Sequence, residues 1–385
     1  MVAADGRASP WLDVDAILAD PEVRIVVCCG AGGVGKTTTA AALGLRAAEQ
    51  HGRRTVVLTI DPARRLAQAL GLTELDNTPR QVKGTNGAAG GELHAMMLDM
   101  KRTFDDVVLA HTDPKRAEEI FANPFYQAMS TTFAGTQEYM AMEKLGQLHA
   151  RDEWDLIVVD TPPSRSALDF LDAPARLGRF LDGRMLRLLL APARAGGRSV
   201  FNLVTASFGM FARVVQRVIG GQLLADLSGF VAALDSMFGG FRERAEQTYR
   251  ILQAPETAFL VVAAPEPDAI REAGYFARRL AADRMPLQGL VLNRVHRVAA
   301  EALSAEDSLA AAAALDGPAA DVLRIHAALA AQVARETAVA ARFTEEYPGV
   351  PVVPVAAQPA DVHDLDGLRE IGASLSAGQL PRRGG

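Results

Sequence analysis

The 385-residue chain is 49% hydrophobic, 22% charged and 6% aromatic, a balance that supports a buried core and excludes wholesale disorder or a collagen-like repeat. Its net charge of −6, with no basic stripe, argues against a nucleic-acid partner. The cysteines, Cys28 and Cys29, are neighbours, which excludes a disulfide framework, a CxxC zinc clasp and a cysteine-ligated iron–sulfur cluster.

In chain order, residues 1–20 read as a loose arm pinned in part by Trp11, Leu12 and Ile17. The run VRIVVCC at 23–29 is apolar throughout, as expected of a central strand covered on both faces of a parallel sheet. Similar runs follow: TVVLTI (55–60), LIVVD (156–160), FLVVAA (259–264), GLVLN (289–293) and VPVVPV (350–355), with ELHAMMLDM (92–100) as a weaker candidate. Helical patterns separate them, so the expected fold is α/β, a doubly wound, mostly parallel sheet of the P-loop NTPase type with a helical subdomain inserted on one side. Thr78 to Gly91 reads as a flexible loop. The core is expected at 21–100, 151–167 and 253–380, with helical insertions at 101–150 and 168–252. Residues 298–345 are alanine-rich and helical in pattern. The N-terminus lacks an apolar signal core and no apolar run is long enough to span a bilayer, so the expected location is the cytoplasm.

The strongest motif follows the first strand. Gly30-Ala31-Gly32-Gly33-Val34-Gly35-Lys36-Thr37 fits G-x-x-x-x-G-K-[ST] and opens a helical pattern, the context that a phosphate loop requires. Glycines let successive backbone N–H groups face phosphate oxygens, and the helix start adds positive potential. Backbone amides from Gly32 to Thr38 and the Lys36 ammonium are expected to hold the phosphates of ATP, and the Thr37 hydroxyl to ligate Mg²⁺.

Three further candidates end strands, where ligands of such sheets bind. Asp61, in TIDPARRL, is expected to orient an attacking water; it also suits a helix N-cap ahead of Pro62. Asp160, after four apolar residues, suits a Mg²⁺-holding carboxylate. Asn293 is placed to read an adenine edge. Guanine-specific sites of this fold carry Asn-Lys-x-Asp here, and His296 stands where that Asp would be, which favours ATP over GTP.

Together these residues resemble the ArsA-type ATPases, the arsenite-pump and tail-anchored-protein targeting ATPases of the deviant-Walker class, with the closest likeness to an actinobacterial anion-transporting branch. The resemblance implies switch I at Asp61-Pro62-Ala63, switch II at Asp160-Thr161-Pro162-Pro163, adenine contact at Asn293 and action as a dimer. The deviant loop reads K-G-G-V-G-K-T, and Ala31 stands in place of its first lysine, which in the family reaches the partner's phosphates. A methyl group carries no such charge, so the expectation is a heterodimer with a lysine-bearing paralogue; a slowly turning homodimer is the alternative. The family's metalloid site uses thiolates, which two sheet cysteines do not supply. Function is therefore expected to be that of an ATPase subunit driving anion transport beside a separate membrane protein, peripheral to the membrane through that partner. The alternatives are a nucleotide-gated targeting factor, with Met129, Met140, Met142, Phe208, Met210 and Phe211 lining a groove for apolar helices, or a weakly hydrolysing regulatory subunit.

Overall fold

The apolar runs become strands β1 (Ile25–Cys29), β2 (Arg54–Thr59), β3 (Arg80–Gln81), β4 (Glu92–Met97), β5 (Leu156–Asp160), β6 (Thr257–Ala263), β7 (Leu287–Val295) and β8 (Val352–Ala356). They form one eight-stranded sheet in the order β3-β4-β2-β5-β1-β6-β7-β8. All pairings are parallel except that of β3 with β4. β1, β5 and β6 are buried along their whole length, as strands covered on both faces must be. The computed structural model describes residues 11–61, 65–86, 89–124, 126, 127, 130, 136–162 and 243–377.

β1 lies between β5 and β6, and the chain leaves it toward β2 on one side and returns to β6 on the other. Strand order therefore reverses at β1, and the crevice at its carboxyl end is where open α/β sheets bind ligands. Helix α1 (Val14–Ala19) precedes β1, and α2 (Lys36–His51) follows it and packs on β2 and β5. The short α3 (Arg65–Ala69) follows β2.

The described residues divide into two compact units, one within Met1–Met97, Leu148–Leu168 and Ile251–Gly385 and the other within Leu98–Gln147 and Asp169–Arg250. The second holds α4 (Met100–His111), α5 (Pro114–Ala122) and most of α6 (Thr136–Ala150). Asp99 and Asp113 cap α4 and α5 by accepting from Arg102 N and Arg116 N. Inside this unit Tyr126 donates to Asp105 (2.5 Å), and Arg244 Nε reaches both oxygens of the buried Glu143 at 3.1 and 3.0 Å. In the first unit α7 (Pro267–Ala282) packs on β6, α8 (Ala305–Ala313) pairs with the long α9 (Pro318–Glu346), and α10 (Leu365–Ser376) packs on α2 and β8.

Two expectations change. Residues 11–20 are not a loose arm: Asp13 caps α1, Leu12, Val14 and Leu18 are buried, and Asp15 pairs with Arg46 through two 2.7 Å bonds. The loop expected at Thr78–Gly91 contains β3, whose Arg80 and Gln81 pair with Ala95 and His94. Both are short elements set by distant partners. Most of the 168–252 stretch lies outside the described residues. Among the described residues no helix is long and apolar enough to cross a membrane.

Arg53 joins several segments of the first unit. Its guanidinium donates to the carbonyls of Leu18 (3.2 Å), Asp20 (3.1 Å), Val23 (2.7 Å) and Asp155. Arg53→Met keeps the apolar stem and leaves those acceptors without a donor. It is expected to cost about 2–4 kcal/mol, read as a lower midpoint in urea denaturation.

Candidate active site

The loop from Gly30 to Gly35 is wedged against two strands that are far away in sequence. Gly30 has φ +149°, and a Cβ there would sit 2.1 Å from the Val262 carbonyl oxygen on β6. Gly35, which caps α2, has φ +96°, and a Cβ would sit 2.2 Å from Asn293 Nδ2 on β7. Both positions need glycine for backbone conformation and for room. Val34 is buried, whereas Gly32 and Gly33 lie exposed at the crown.

Lys36, only 6% exposed, donates from Nζ to the Ala31 carbonyl oxygen at 2.7 Å. Its side chain therefore arches back over the loop it follows. Burial pushes the ammonium's pKa down, and the Asp160 charge opposes that shift.

Asp160 ends β5 level with Thr59 on β2 and Cys28 on β1. Its Oδ2 accepts from Thr37 Oγ1 at 2.8 Å and Thr59 Oγ1 at 2.9 Å. Its Oδ1 is buried with no hydrogen-bond partner. The residue is fully buried, and that burial pushes the carboxyl up to about 6, against the two threonine bonds, which pull it down. A buried anionic oxygen without a donor, beside a threonine hydroxyl at a helix start, is a hard-oxygen donor pair that fits Mg²⁺. Among the described residues no cluster of three or more His, Cys, Asp or Glu could cage an ion.

Asp61 follows β2, is 8% exposed, and donates its N–H to Thr59 Oγ1 at 3.2 Å. α3 starts at Arg65 and residues 62–64 lie outside the described ones, so the helix-cap reading of Asp61 is left where the sequence put it. Asp61, Lys36, Thr37, Thr38, Gly33 and Gly35 line one cavity of about 300 Å³. The same cavity is lined by Arg294 of β7 and by Asp361, Val362 and His363 of the loop after β8.

Asn293 sits differently from the expectation that it reads an adenine edge. Its Nδ2 donates to the Val34 carbonyl at 2.8 Å, so the amide braces the underside of the loop. His296 is turned to α9: its backbone N–H and Nδ1 meet the two Glu336 oxygens at 2.9 and 2.7 Å. Cys28 and Cys29 are both buried, and burial pushes their thiols up, Cys29 to about 12, so neither is poised as a thiolate. Of the groove candidates, Met140 and Met142 are fully buried in their unit; Met129, Phe208, Met210 and Phe211 lie outside the described residues.

Thr161, which the resemblance put in switch II, donates its Oγ1 to the Cys28 carbonyl at 2.9 Å. Sequence reasoning missed two contributors. Thr59 was hidden inside an apolar strand run. Arg294 carries no motif of its own.

Residues 23–304 match the anion-transporting ATPase family. The chain belongs to this family. Its curated relatives include ATPase GET3 of Malassezia globosa, 24% identical over 239 residues, which are 60% of this chain and 64% of that one. ATPase GET3A of Arabidopsis thaliana is 25% identical over 287 residues, 74% of this chain and 71% of that one. Protein Rv2184c of Mycobacterium tuberculosis is 31% identical over 180 residues, 42% of this chain and 40% of that one. The chain thus covers less than two thirds of the Malassezia and mycobacterial relatives.

A raised carboxyl pKa costs stability as pH rises. Between the unfolded value of 3.8 and about 6 the unfolded Asp160 ionises while the folded one holds its proton; above about 6 the loss is constant. Asp160→Asn is therefore expected to stabilise the nucleotide-free chain relative to wild type by up to about 3 kcal/mol above pH 6, with most of the gain gone near pH 4. Parallel thermal melts from pH 4 to 8 read this directly; a gain independent of pH would show that the carboxyl's charge is not its source.

Proposed function

We propose that this chain is a Mg²⁺-dependent ATP hydrolase that drives a partner process, with anion transport as the process the family's name favours. The observation that carries the reading is the Thr37–Asp160–Thr59 cluster, with its unpartnered buried Asp160 oxygen, beside a phosphate loop closed by Lys36. A ring of backbone amides and a lysine has no use for carboxylates on its other side unless a cation and a reacting phosphate lie between them.

In this reading Lys36 leaves the Ala31 carbonyl and turns its charge to the β- and γ-phosphates. The amides from Gly32 to Thr38 cradle the same oxygens and stabilise charge that develops as the γ-phosphoryl group moves. Thr37 and Asp160 hold Mg²⁺, which neutralises phosphate charge when bound. Asp61, at the carboxyl end of β2, orients the attacking water in line with the leaving oxygen.

Ala31 offers only a carbonyl and a methyl group where the family's dimers place a lysine. The proposal is accordingly that the working species is a dimer with a lysine-bearing paralogue, in the cytoplasm and docked on a separate membrane protein. The targeting-factor alternative loses two of its groove residues, since Met140 and Met142 are core.

Lys36→Ala is expected to abolish turnover and weaken ATP binding. Asp61→Asn is expected to keep ATP binding and lower turnover at least about 100-fold. Steady-state phosphate release and equilibrium binding on the same preparations check both, and unchanged turnover in Asp61→Asn removes Asp61 from the chemistry. Titrating the purified chain with its paralogue is expected to raise the rate up to a one-to-one complex. A rate indifferent to the paralogue overturns the division of labour and leaves the hydrolase reading standing.

A further inference from the structure

We infer that Arg294 is the base-binding residue of this chain, its guanidinium stacked on the purine ring. The inference rests on the nucleotide reading above and names the group that holds the other end of the ligand.

Two observations of the backbone converge on this residue. The parallel register of β7 with β8 shifts between Leu292 and Val295, so the strand is irregular at Asn293 and Arg294. Arg294 itself has φ +62°. Non-glycine residues rarely take that conformation, and those that do are mostly Asn, Asp or His, which can bond locally. An arginine held there is maintained by its surroundings, and such outliers gather at ligand sites. The consequence is visible in the side chains. Asn293 goes under the phosphate loop to Val34, and Arg294 comes out into the wall of the cavity.

Sheet order decides which part of a nucleotide meets it. The carboxylates of Asp160 and Asp61 belong to β5 and β2, on one side of β1. β7 is two strands from β1 on the other side, roughly 9–10 Å away at ordinary strand spacing. A triphosphate lying on the start of α2 with its γ end toward the carboxylates must extend its base toward β7. There Arg294 lines the cavity together with Asp361, Val362 and His363. Among the described residues Arg294 forms no ion pair, so its charge is not already spent on a carboxylate. A planar guanidinium stacks on aromatic faces, and more strongly than an ammonium can.

The test compares two probes on the full chain by calorimetry: ADP, which has a base, and inorganic tripolyphosphate, which does not. Arg294→Asn retains a residue that tolerates the left-handed backbone, and melting curves check that the fold is kept. It is expected to weaken ADP about 5- to 20-fold and to leave tripolyphosphate within about twofold. Arg294→Lys is expected to fall between wild type and Arg294→Asn. Lys36→Ala should weaken both probes. Unchanged ADP affinity in Arg294→Asn overturns the inference, and so does an equal loss for tripolyphosphate, which would make Arg294 a phosphate ligand. Failure of wild type to bind either probe overturns the nucleotide reading itself, a result distinct from the other two.

Discussion

The buried carboxylate of Asp160 is the constraint around which the site is arranged. One oxygen ties three segments together, since Thr37 starts α2, Thr59 ends β2, and Asp160 itself ends β5. The other oxygen is left without a donor in a place with no water-like exposure. Folding thus holds a charge, or a proton that belongs to one, at a position that core packing alone would fill with a valine. Proteins retain such groups where the ligand supplies the missing partner.

The same economy governs the loop. Gly30 and Gly35 have no side chain because β6 and β7 occupy that space, so loop shape is set by strands more than two hundred residues away. Asn293 extends this control from β7 to Val34, and Glu336 fixes the next turn of the chain through His296. The Lys36–Ala31 contact adds a local element: the lysine's charge is already bonded to its own loop, so a phosphate competes with an internal acceptor and not only with water.

What could be read from the sequence was what depends on neighbours along the chain. Gly30 to Thr37 follow a buried strand and open a helix within eight residues, and Asp160 closes a five-residue apolar strand. Strand runs likewise announced themselves by composition. Thr59 did not, because its role depends on β2 and β5 lying side by side in one register. The sequence singled out Asn293 at a strand end, but the direction of its amide follows from the irregular pairing of β7 with β8, which no local pattern records. β3 and α1 were missed for a related reason: two residues of strand and six of helix carry too little periodicity, and tertiary partners decide both.

β3 and the residue Trp11 that leads into α1 have a shared physical effect. An open sheet ends in a row of unpaired amides and carbonyls at each side, which invites pairing with another chain. Here β3, antiparallel to its neighbour and only two residues long, lies along one margin, and Trp11 bridges Val352 at the other. The fold's least conspicuous segments thus stand at both margins, where they shield a strongly apolar sheet from edge-to-edge aggregation.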